Sequence, residues 1–481
     1  MSNRELCPFN PRHYRWDMST TKSIALSLFS FAAASLQAAT AVTFTETIAP
    51  IVLQNCAGCH RPGEAAPFSL LTYEDVRKKG ALISAVTKSG YMPPWHAEHG
   101  YGDFADERRL TADQIALIDA WVKQGMPQGD PGKMPPAPKF AEGWHLGKPD
   151  LILEMPVTFE LPASGADIYR NFVIPTNLTE DKWVRAVEFR PSARKAVHHV
   201  LFAYDGSGNA RRLDGHDGHP GFGGMSAVGI AGTTGKSGSL GGWAVGATPA
   251  FLPEGLAFPL PKGSDLLLQM HFHLTGKPET ERSTVGIYFA DKAPERPIQN
   301  VQLPALFGIG AGLDIPPGAA KYTVQDSMVL PTDVTAYLAN AHAHYLAQEM
   351  KATATLPDGT VQPLLWIKDW DFNWQDRYTY KAPIHLPKGT RIDVKITYNN
   401  SADNPRNPRN PPQQVWWGEQ SYDEMGSVSL AVTTNNKDDQ LALARLLQDR
   451  QRTSVARAIL DGTVTRMRKE QIDSEATVTR K

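Results

Sequence analysis

The chain has 481 residues, a formal net charge of −1 at pH 7, 21% charged residues and three cysteines. At about 100 to 200 residues per domain, this length predicts roughly three domains. The balanced charge and the lack of a long basic run argue against a nucleic-acid partner and favour neutral or small substrates.

The N-terminal segment has the pattern of a secretory signal. Lys22 precedes an apolar run at 24–34, and the small residues Ala38 and Ala39 follow it, in the order of a signal peptide and its cleavage site. The run is shorter than the ~20 apolar residues of a membrane span. We therefore predict a signal at 1–39, with Met18 as an alternative start, no transmembrane span, and a periplasmic or otherwise exported protein. Cleavage would remove Cys7, so no disulfide is expected.

The next feature is the motif Cys56-Ala57-Gly58-Cys59-His60. Two thiols at this spacing add across the vinyl groups of haem, and the histidine that follows takes an axial position on iron. On a helix the two cysteines would share one face. The competing interpretations are part of a zinc site or a thiol redox pair. A zinc site would need a second pair of ligands, and no cysteine follows Cys59. The motif therefore predicts covalent haem c.

Residues 41–130 are predicted to form a small all-α cytochrome c domain. Thr111 and Gln114 have the spacing of a capping box that opens a helix. A proline-rich linker is predicted at 131–142, stiffened toward polyproline geometry.

The loop between the predicted helices contains Met92 beside two prolines, which disfavour helix. A thioether there can approach haem iron from the side opposite His60. Met92 is the predicted sixth ligand, His96 or His99 is the alternative, and an ordinary buried methionine is the competing interpretation.

From residue 143 the pattern changes to short alternating apolar segments separated by Gly and Pro, which predicts β-strands. This spacing is typical of sandwiches. We predict two all-β jelly-roll-like sandwiches, at 143–310 and 311–436, and a charged helical tail at 437–481. The predicted strands are 150–155, 169–174, 182–189, 197–204, 265–273, 284–289, 337–345, 351–356, 391–398 and 426–432.

A glycine-rich insertion at 205–246 is predicted to be a long loop. It contains His216 and His219. A glycine-rich loop is a poor place for a preorganised metal site, so both are expected to be solvated.

Histidines are clustered on the predicted strands. Residues i and i+2 of a strand point to the same face, so a His-x-His pair can chelate one ion. Adjacent histidines face opposite ways unless a bulge or strand end intervenes. The clusters are His198-His199, His271 with His273, and His342 with His344.

Imidazole ligands suit zinc, copper and iron alike, but a thioether ligand favours copper. Met425 begins an apolar strand beyond a proline-rich loop, and Met350 follows His344 closely. Met425 is the predicted sulfur ligand and Met350 its rival.

Over about residues 150 to 435 the chain resembles the type II copper, ascorbate-dependent monooxygenases, the family of peptidylglycine α-hydroxylating monooxygenase and dopamine β-monooxygenase. The resemblance lies in the order of four short motifs: Val197-His198-His199-Val200, Leu268-Gln269-Met270-His271-Phe272, His342-Ala343-His344-Tyr345-Leu346 and Asp423-Glu424-Met425.

The resemblance implies two copper ions. His198, His199 and His271 would hold the electron-transfer copper, and His342, His344 and Met425 would hold the copper that binds dioxygen. His273 has no counterpart and is a supporting residue or an alternative ligand. Two features depart from the family pattern: the chain is expected to have no disulfides, and Gly426 stands where the family often has cysteine. The family's substrate pocket therefore cannot be transferred to this chain.

The resulting hypothesis is an exported enzyme that carries haem c and two coppers and hydroxylates a C–H bond of an unknown small organic substrate with dioxygen. An external donor would supply electrons through the haem to the copper of His198, His199 and His271. We expect the two ligand sets to form separate sites that face a shared cleft.

Two other functions compete with this hypothesis. One is a periplasmic haem and copper protein for electron transfer or copper binding, without oxygenase activity. The other is a zinc hydrolase, in which Asp423 or Glu424 would be the general base. The aromatic segment 366–374 is predicted to line a pocket or electron path or to be core, and the loop 399–412 is positioned to cover the copper.

Overall fold

The computed structural model describes residues 42–64, 66–140, 143–224, 236–245 and 247–467. The predicted signal at 1–39 and the end of the predicted tail lie outside them. In the described part of the chain, none of the helices has the length and hydrophobicity needed to cross a bilayer.

Three of the helices form the N-terminal module. Their core contains Phe44, Ile118 and Trp121. The predicted capping box is confirmed, because the Thr111 hydroxyl accepts from the Gln114 N–H at 3.1 Å and the Gln114 side chain accepts from the Thr111 N–H at 2.9 Å. Over the described residues the α-helices are α1 (Ala49–Asn55), α2 (Tyr73–Lys88), α3 (Ala112–Lys123), α4 (Asn209–Leu213) and α5 (Lys437–Leu460), and five further helical residues at 463–467 follow α5.

The rest of the described chain is mostly β. All ten predicted strands are confirmed, with ends shifted by up to four residues. The strands are β1 (Leu151–Glu154), β2 (Phe159–Leu161), β3 (Ile168–Pro175), β4 (Lys182–Arg190), β5 (Val197–Asp205), β6 (Phe222–Gly223), β7 (Ser237–Ala244), β8 (Phe258–Leu260), β9 (Asp265–Phe272), β10 (Glu279–Glu281), β11 (Thr284–Phe289), β12 (Gln299–Leu303), β13 (Asp314–Ile315), β14 (Tyr322–Val329), β15 (Val334–Ala343), β16 (Ala347–Thr355), β17 (Val361–Ile367), β18 (Arg377–Leu386), β19 (Arg391–Tyr398), β20 (Val415–Trp416) and β21 (Gly426–Thr434).

The sheets pair into two sandwiches. Sheets β1-β11-β4-β8 and β6-β3-β9-β5-β7 share one apolar core. Sheets β12-β21-β15-β18 and β14-β19-β16-β17 share another. The paired strands are antiparallel, which suits a sheet with one face on the core.

The glycine-rich insertion is not wholly a loop. It supplies β6 and β7, the two edge strands of the five-stranded sheet. Gly238 pairs with Tyr204, and a Cβ there would lie 2.8 Å from the Tyr204 ring. Glycine therefore marks close packing against an aromatic ring, and the prediction of a loop over this stretch was wrong for β6 and β7.

Helix α5 packs on the second sandwich. Leu443 and Ala458 are fully buried in its core. At Gly310 a Cβ would lie 2.3 Å from the Ser454 carbonyl oxygen. The helix therefore comes close to the backbone of the preceding connection, and only glycine permits that approach.

The N-terminal module is joined to both sandwiches. After α2 the chain crosses to the second sandwich, where Ala97 bridges to Ile367 on β17 and Phe104 bridges to Tyr380 on β18. These are the edge strands of its two sheets. This segment therefore closes one side of the second sandwich, and its Trp95 belongs to the same core.

Contacts with the first sandwich are polar. The Glu64 carboxylate lies 3.5 Å from the Arg194 guanidinium, and Arg61 Nη2 lies 3.4 Å from His145 Nε2. The Cys56–His60 motif lies just before these residues in the chain, so it is held near the body of the protein.

Replacement of Trp95 with alanine is expected to lower the free energy of unfolding by about 3 to 5 kcal/mol, because it empties a large site between the module and the second sandwich. Trp95 is 8% exposed and packs edge-on against Tyr378 at 5.1 Å. Guanidinium unfolding followed by circular dichroism measures the change. Trp416→Ala is the matched control, since Trp416 is 37% exposed, and equal losses in the two variants would contradict the prediction.

Candidate metal centre

A β-bulge brings the first two histidines together. Strand β5 pairs with β9 so that Val197 lies opposite Phe272 and His199 lies opposite His271, with one extra residue, His198, between them. An extra residue in one strand re-aims its side chain. The structure therefore confirms the bulge that joint use of His198 and His199 required.

The three imidazoles of His198, His199 and His271 converge through the same ring nitrogen. The Nδ1 atom of His199 lies 3.1 Å from Nδ1 of His198 and 3.3 Å from Nδ1 of His271. All three residues offer a ligand atom within 4.8 Å of the others. Metal–imidazole bonds of about 2.0 Å place two ligand nitrogens about 3.3 Å apart at a tetrahedral angle. We call these three residues the triad, and its spacing fits one metal ion.

Asp167 supports the triad from behind. Its Oδ2 lies 3.0 Å from Nε2 of His271 and its Oδ1 lies 3.2 Å from Nδ1 of His273. Burial raises the pKa of Asp167, but hydrogen bonds from the two imidazoles outweigh it and hold the pKa below its usual range. Because the carboxylate accepts a hydrogen bond from the Nε2–H group of His271, the unprotonated Nδ1 of that ring is available as a metal ligand.

His273 contacts Asp167 and is exposed. Of the two roles predicted for it, the contacts fit the supporting one. Asp167 itself was missed by the sequence reasoning. It precedes β3, which pairs with β9, and the residues of the two strands that lie opposite each other cannot be deduced before that pairing is known.

The second pair of histidines uses the other ring nitrogen. Nδ1 of His342 lies 2.6 Å from Gln375 Oε1, and Nδ1 of His344 lies 3.3 Å from the Asp423 carbonyl oxygen. Because both oxygens are acceptors, each Nδ1 carries the proton and each Nε2 is left as the ligand atom. The rings lie 5.3 Å apart. We call these two residues the pair.

Met425 lies next to the pair in the fold. Strand β15 pairs with β21 so that Ala343 lies opposite Gly426, and the next positions in this register are His344 and Met425. Met425 is buried. Met350 is on β16, in the opposite sheet of the sandwich, so the strand positions favour Met425 over Met350 as a ligand.

Glu424 fixes the backbone beside the pair. Its carboxylate accepts from the backbone N–H groups of His344 at 2.6 Å, Leu346 at 2.9 Å and Met425 at 2.9 Å. Burial raises its pKa to about 8 although these N–H groups oppose the shift. A fully buried carboxylate engaged by three backbone donors is poorly placed as the general base of the zinc hydrolase alternative.

Triad and pair adjoin at the contact between the two sandwiches. The rings of His199 and His342 are 5.8 Å apart. Phe372 stacks on His198 at 4.3 Å and lies 5.7 Å from His344. The expectation that an open cleft separates the two ligand sets was therefore wrong, because their rings are in contact, although the two sets use different ring nitrogens.

Burial keeps these imidazoles neutral. Desolvation lowers the pKa of His198, His199 and His344 well below the usual value, lowers that of His271, and lowers that of His342 to about 4. Neutral imidazole is the form that binds metal. At neutral pH the cluster therefore needs no deprotonation before it accepts an ion.

A cavity of about 580 Å³ is lined by residues of both sandwiches, among them Asp167, which contacts His271 of the triad. Asp167 and His273 line one side, and Tyr345, Asp371 and Ser421 line the other. The predicted covering loop contributes 405–408. In the aromatic segment, Trp370 is buried and donates to the His344 carbonyl at 3.1 Å, so it combines core packing with support of the pair.

The predicted haem motif lies just after α1 and not on it. Helix α1 ends at Asn55, and a hydrogen bond from the His60 N–H to the Cys56 carbonyl at 2.9 Å closes the following turn. Both cysteines are free. Burial raises the pKa of the Cys56 thiol to about 12.

His60 is oriented for an axial role. Its Nδ1 lies 3.1 Å from the Phe68 carbonyl oxygen, so Nδ1 carries the proton and Nε2 is available to iron. Met92 is half-buried in the loop after α2. Of the alternatives, His96 is bonded through Nδ1 to the Asp369 carbonyl at 3.0 Å and His99 through Nδ1 to Glu107 at 3.3 Å. Like His60, each keeps Nε2 as a ligand atom, and Nε2 of His96 is buried without a partner, so the choice of sixth ligand stays open. The exposed His216 and His219 stand apart from the cluster.

No family model matches the chain, and no curated protein matches it. Among solved structures it is similar to infectious bursal disease virus Gx strain, with 12% identity over 60% of this chain and 71% of that chain and a TM-score of 0.17. It is similar to the major capsid protein P2 from Bacteriophage PM2 with 8% identity over 58% of this chain and 99% of that chain, and a TM-score of 0.22. It is similar to PNGF-II with 10% identity over 60% of this chain and 66% of that chain, and a TM-score of 0.24. At these TM-scores the similarities carry no conclusion about fold or function.

Changing Asp167 to asparagine is expected to weaken metal binding by the triad about 10- to 100-fold, because His271 loses the carboxylate that fixes its protonated nitrogen. Titration with Cu²⁺ against a competing chelator measures the affinity. Asp393→Asn is the control, since Asp393 pairs with Arg391 at a distance of 2.9 Å on strand β19. An affinity in Asp167→Asn equal to that of the control would refute the role of Asp167.

Proposed function

We propose that this chain is an exported monooxygenase that carries haem c and two copper ions and hydroxylates a C–H bond of a small organic substrate with dioxygen. The observation that carries the proposal is the convergence of the three triad Nδ1 atoms, beside a pair whose Nδ1 atoms are hydrogen-bonded to the protein. Two ligand sets that use different ring nitrogens suit two dissimilar ions.

The donor atoms fit copper. The triad would hold one ion through nitrogen alone, and His342, His344 and Met425 would hold the other with a thioether, which favours copper over zinc. The haem would be attached to Cys56 and Cys59, with His60 as axial ligand and Met92 as the proposed sixth ligand. When bound, these groups supply electron storage and activation of dioxygen.

The protein residues around these sites have separate tasks. Asp167 and Gln375 hold protons on the nitrogens that face away from the ions. Phe372 covers His198 and keeps water from it. The adjacent cavity is large enough for a small organic molecule, with polar groups that can orient it.

A second function is favoured by one observation. The ring contact between His199 and His342 suits rapid electron exchange between two ions. This arrangement would also serve a periplasmic haem and copper protein that carries electrons or binds copper without oxygenase activity. Dioxygen uptake that depends on an added substrate distinguishes the enzyme from this carrier.

The test is to purify the exported protein and measure copper, zinc and covalent haem per chain, and then to screen small organic compounds for substrate-dependent dioxygen consumption. We expect one haem, two coppers and uptake with a subset of the compounds. Copper and haem without uptake would support the carrier, and zinc in place of copper would support a hydrolase.

Removing one ligand from each set should remove one ion at a time. His271→Ala is expected to leave one copper, held by the pair and Met425, and His344→Ala is expected to leave one copper, held by the triad. His219→Ala, on an exposed turn, is the control and should keep both. Loss of both ions from either single variant would show that the five histidines form one indivisible site.

A further inference from the structure

The segment from Trp366 to Tyr380 touches both the N-terminal module and the histidine cluster. On the module side, the Glu98 N–H donates to the Trp366 carbonyl at 2.7 Å and the Ala105 N–H donates to the Thr379 carbonyl at 2.7 Å. On the cluster side, Phe372 stacks on His198. This segment therefore connects the part of the module that follows α2 to the candidate metal centre.

Strand register places Gln375 opposite His342. Strand β18 pairs with β15 so that Arg377 lies opposite Asn340, and two further steps bring Gln375 opposite His342. The two side chains are hydrogen-bonded at 2.6 Å. Gln375 is also held from its other end, because its amide donates to the Phe372 carbonyl at 3.1 Å.

The next residue points the other way. Because successive side chains of an extended segment alternate in direction, Asp376 faces away from His342, and it forms an ion pair with Arg108 of the module. The Arg108 guanidinium also lies over the Trp95 ring at 5.6 Å.

Arg108 belongs to the module that carries the predicted haem motif, two residues before Leu110 of the module's core. Burial raises the pKa of the Cys59 thiol, and the positive charge of Arg108 opposes that rise. A single ion pair, one peptide unit and one hydrogen bond therefore connect Arg108 of the module to the ring of His342.

The route to the triad is less direct. It runs three residues further, to Phe372, and ends in ring stacking on His198 without a hydrogen bond. Electronic coupling decays less steeply through covalent and hydrogen bonds than through van der Waals contact. The contacts therefore favour the pair as the entry point, whereas the family resemblance implies the triad.

We propose that Arg108, Asp376 and Gln375 form the path by which electrons leave the haem module and that they arrive at the metal site of His342 and His344. This inference rests on the proposed function. Each transfer oxidises ferrous haem iron to ferric and reduces one Cu²⁺ to Cu⁺. No bond breaks and no proton moves, because Gln375 does not titrate and keeps the His342 Nδ1 proton in place.

The test uses the full chain with haem and Cu²⁺ bound, without oxygen. A light flash on an added photoreductant delivers at most one electron per chain, and haem absorbance then reports the rate of haem reoxidation. Gln375→Leu is expected to slow reoxidation by about 10-fold or more, whereas Gln375→Glu, which keeps an acceptor for His342, should restore most of the rate.

Two further variants separate the path from folding and from metal binding. Arg108→Gln lies away from every histidine of the cluster and should slow reoxidation with both coppers retained. Lys381→Gln is the matched control, because it removes another ion pair between the module and the second sandwich, Lys381 with Asp103 at 2.8 Å. It should leave the rate unchanged.

The ligand variants show which metal site receives the electron from the haem. His271→Ala should keep fast reoxidation and His344→Ala should lose it. The opposite pattern, or rates in Gln375→Leu and Arg108→Gln equal to that in Lys381→Gln, would overturn the path. A protein that shows the predicted rates but no substrate-dependent dioxygen uptake would retain the path and lose the proposed oxygenase, and a protein that binds no copper would lose both.

Discussion

Burial of five neutral imidazoles where the two sandwiches meet is the constraint on which the rest of the structure depends. A buried ring nitrogen without a partner is costly, so each proton needs an acceptor. Asp167, Gln375 and the Asp423 carbonyl supply acceptors for three of the rings. The Nδ1 atoms of the triad face one another at 3.1 and 3.3 Å, whereas Nε2 of His198 is buried without a hydrogen-bond partner.

Backbone geometry meets this constraint. The bulge at His198 turns two adjacent side chains toward β9, and the register of β15 and β18 places an amide opposite His342. Glu424 ties the end of β15 to the start of β21 through three backbone N–H groups. Rigid sheets thus hold the ligands, and the loops contribute walls of the neighbouring cavity, a division of labour typical of preorganised sites.

The N-terminal module is integrated with this scaffold. Trp95, Ala97 and Phe104 complete the core of the second sandwich, so the predicted cytochrome is not attached only by its proline-rich linker. A segment that seals two sheet edges has a structural reason to be immobile, and immobility keeps the distance between the predicted haem and the histidines constant. Under the proposed function, this constant distance would favour the fused arrangement over a diffusing electron donor.

The sequence by itself determined the local features: the Cys56–His60 motif, the capping box at Thr111, the ten strands, and the need for a bulge at His198. These features depend on residues only a few positions apart, so the spacing of residue types along the chain is enough to predict them. The tertiary structure alone decided that Asp167 supports His271, that Glu424 fixes the backbone beside the pair, that β6 and β7 arise from a glycine-rich stretch, and that triad and pair adjoin. Each of these depends on which strands pair and which side chains pack between sheets. Such contacts join residues far apart in the chain, and no pattern in a single sequence predicts them.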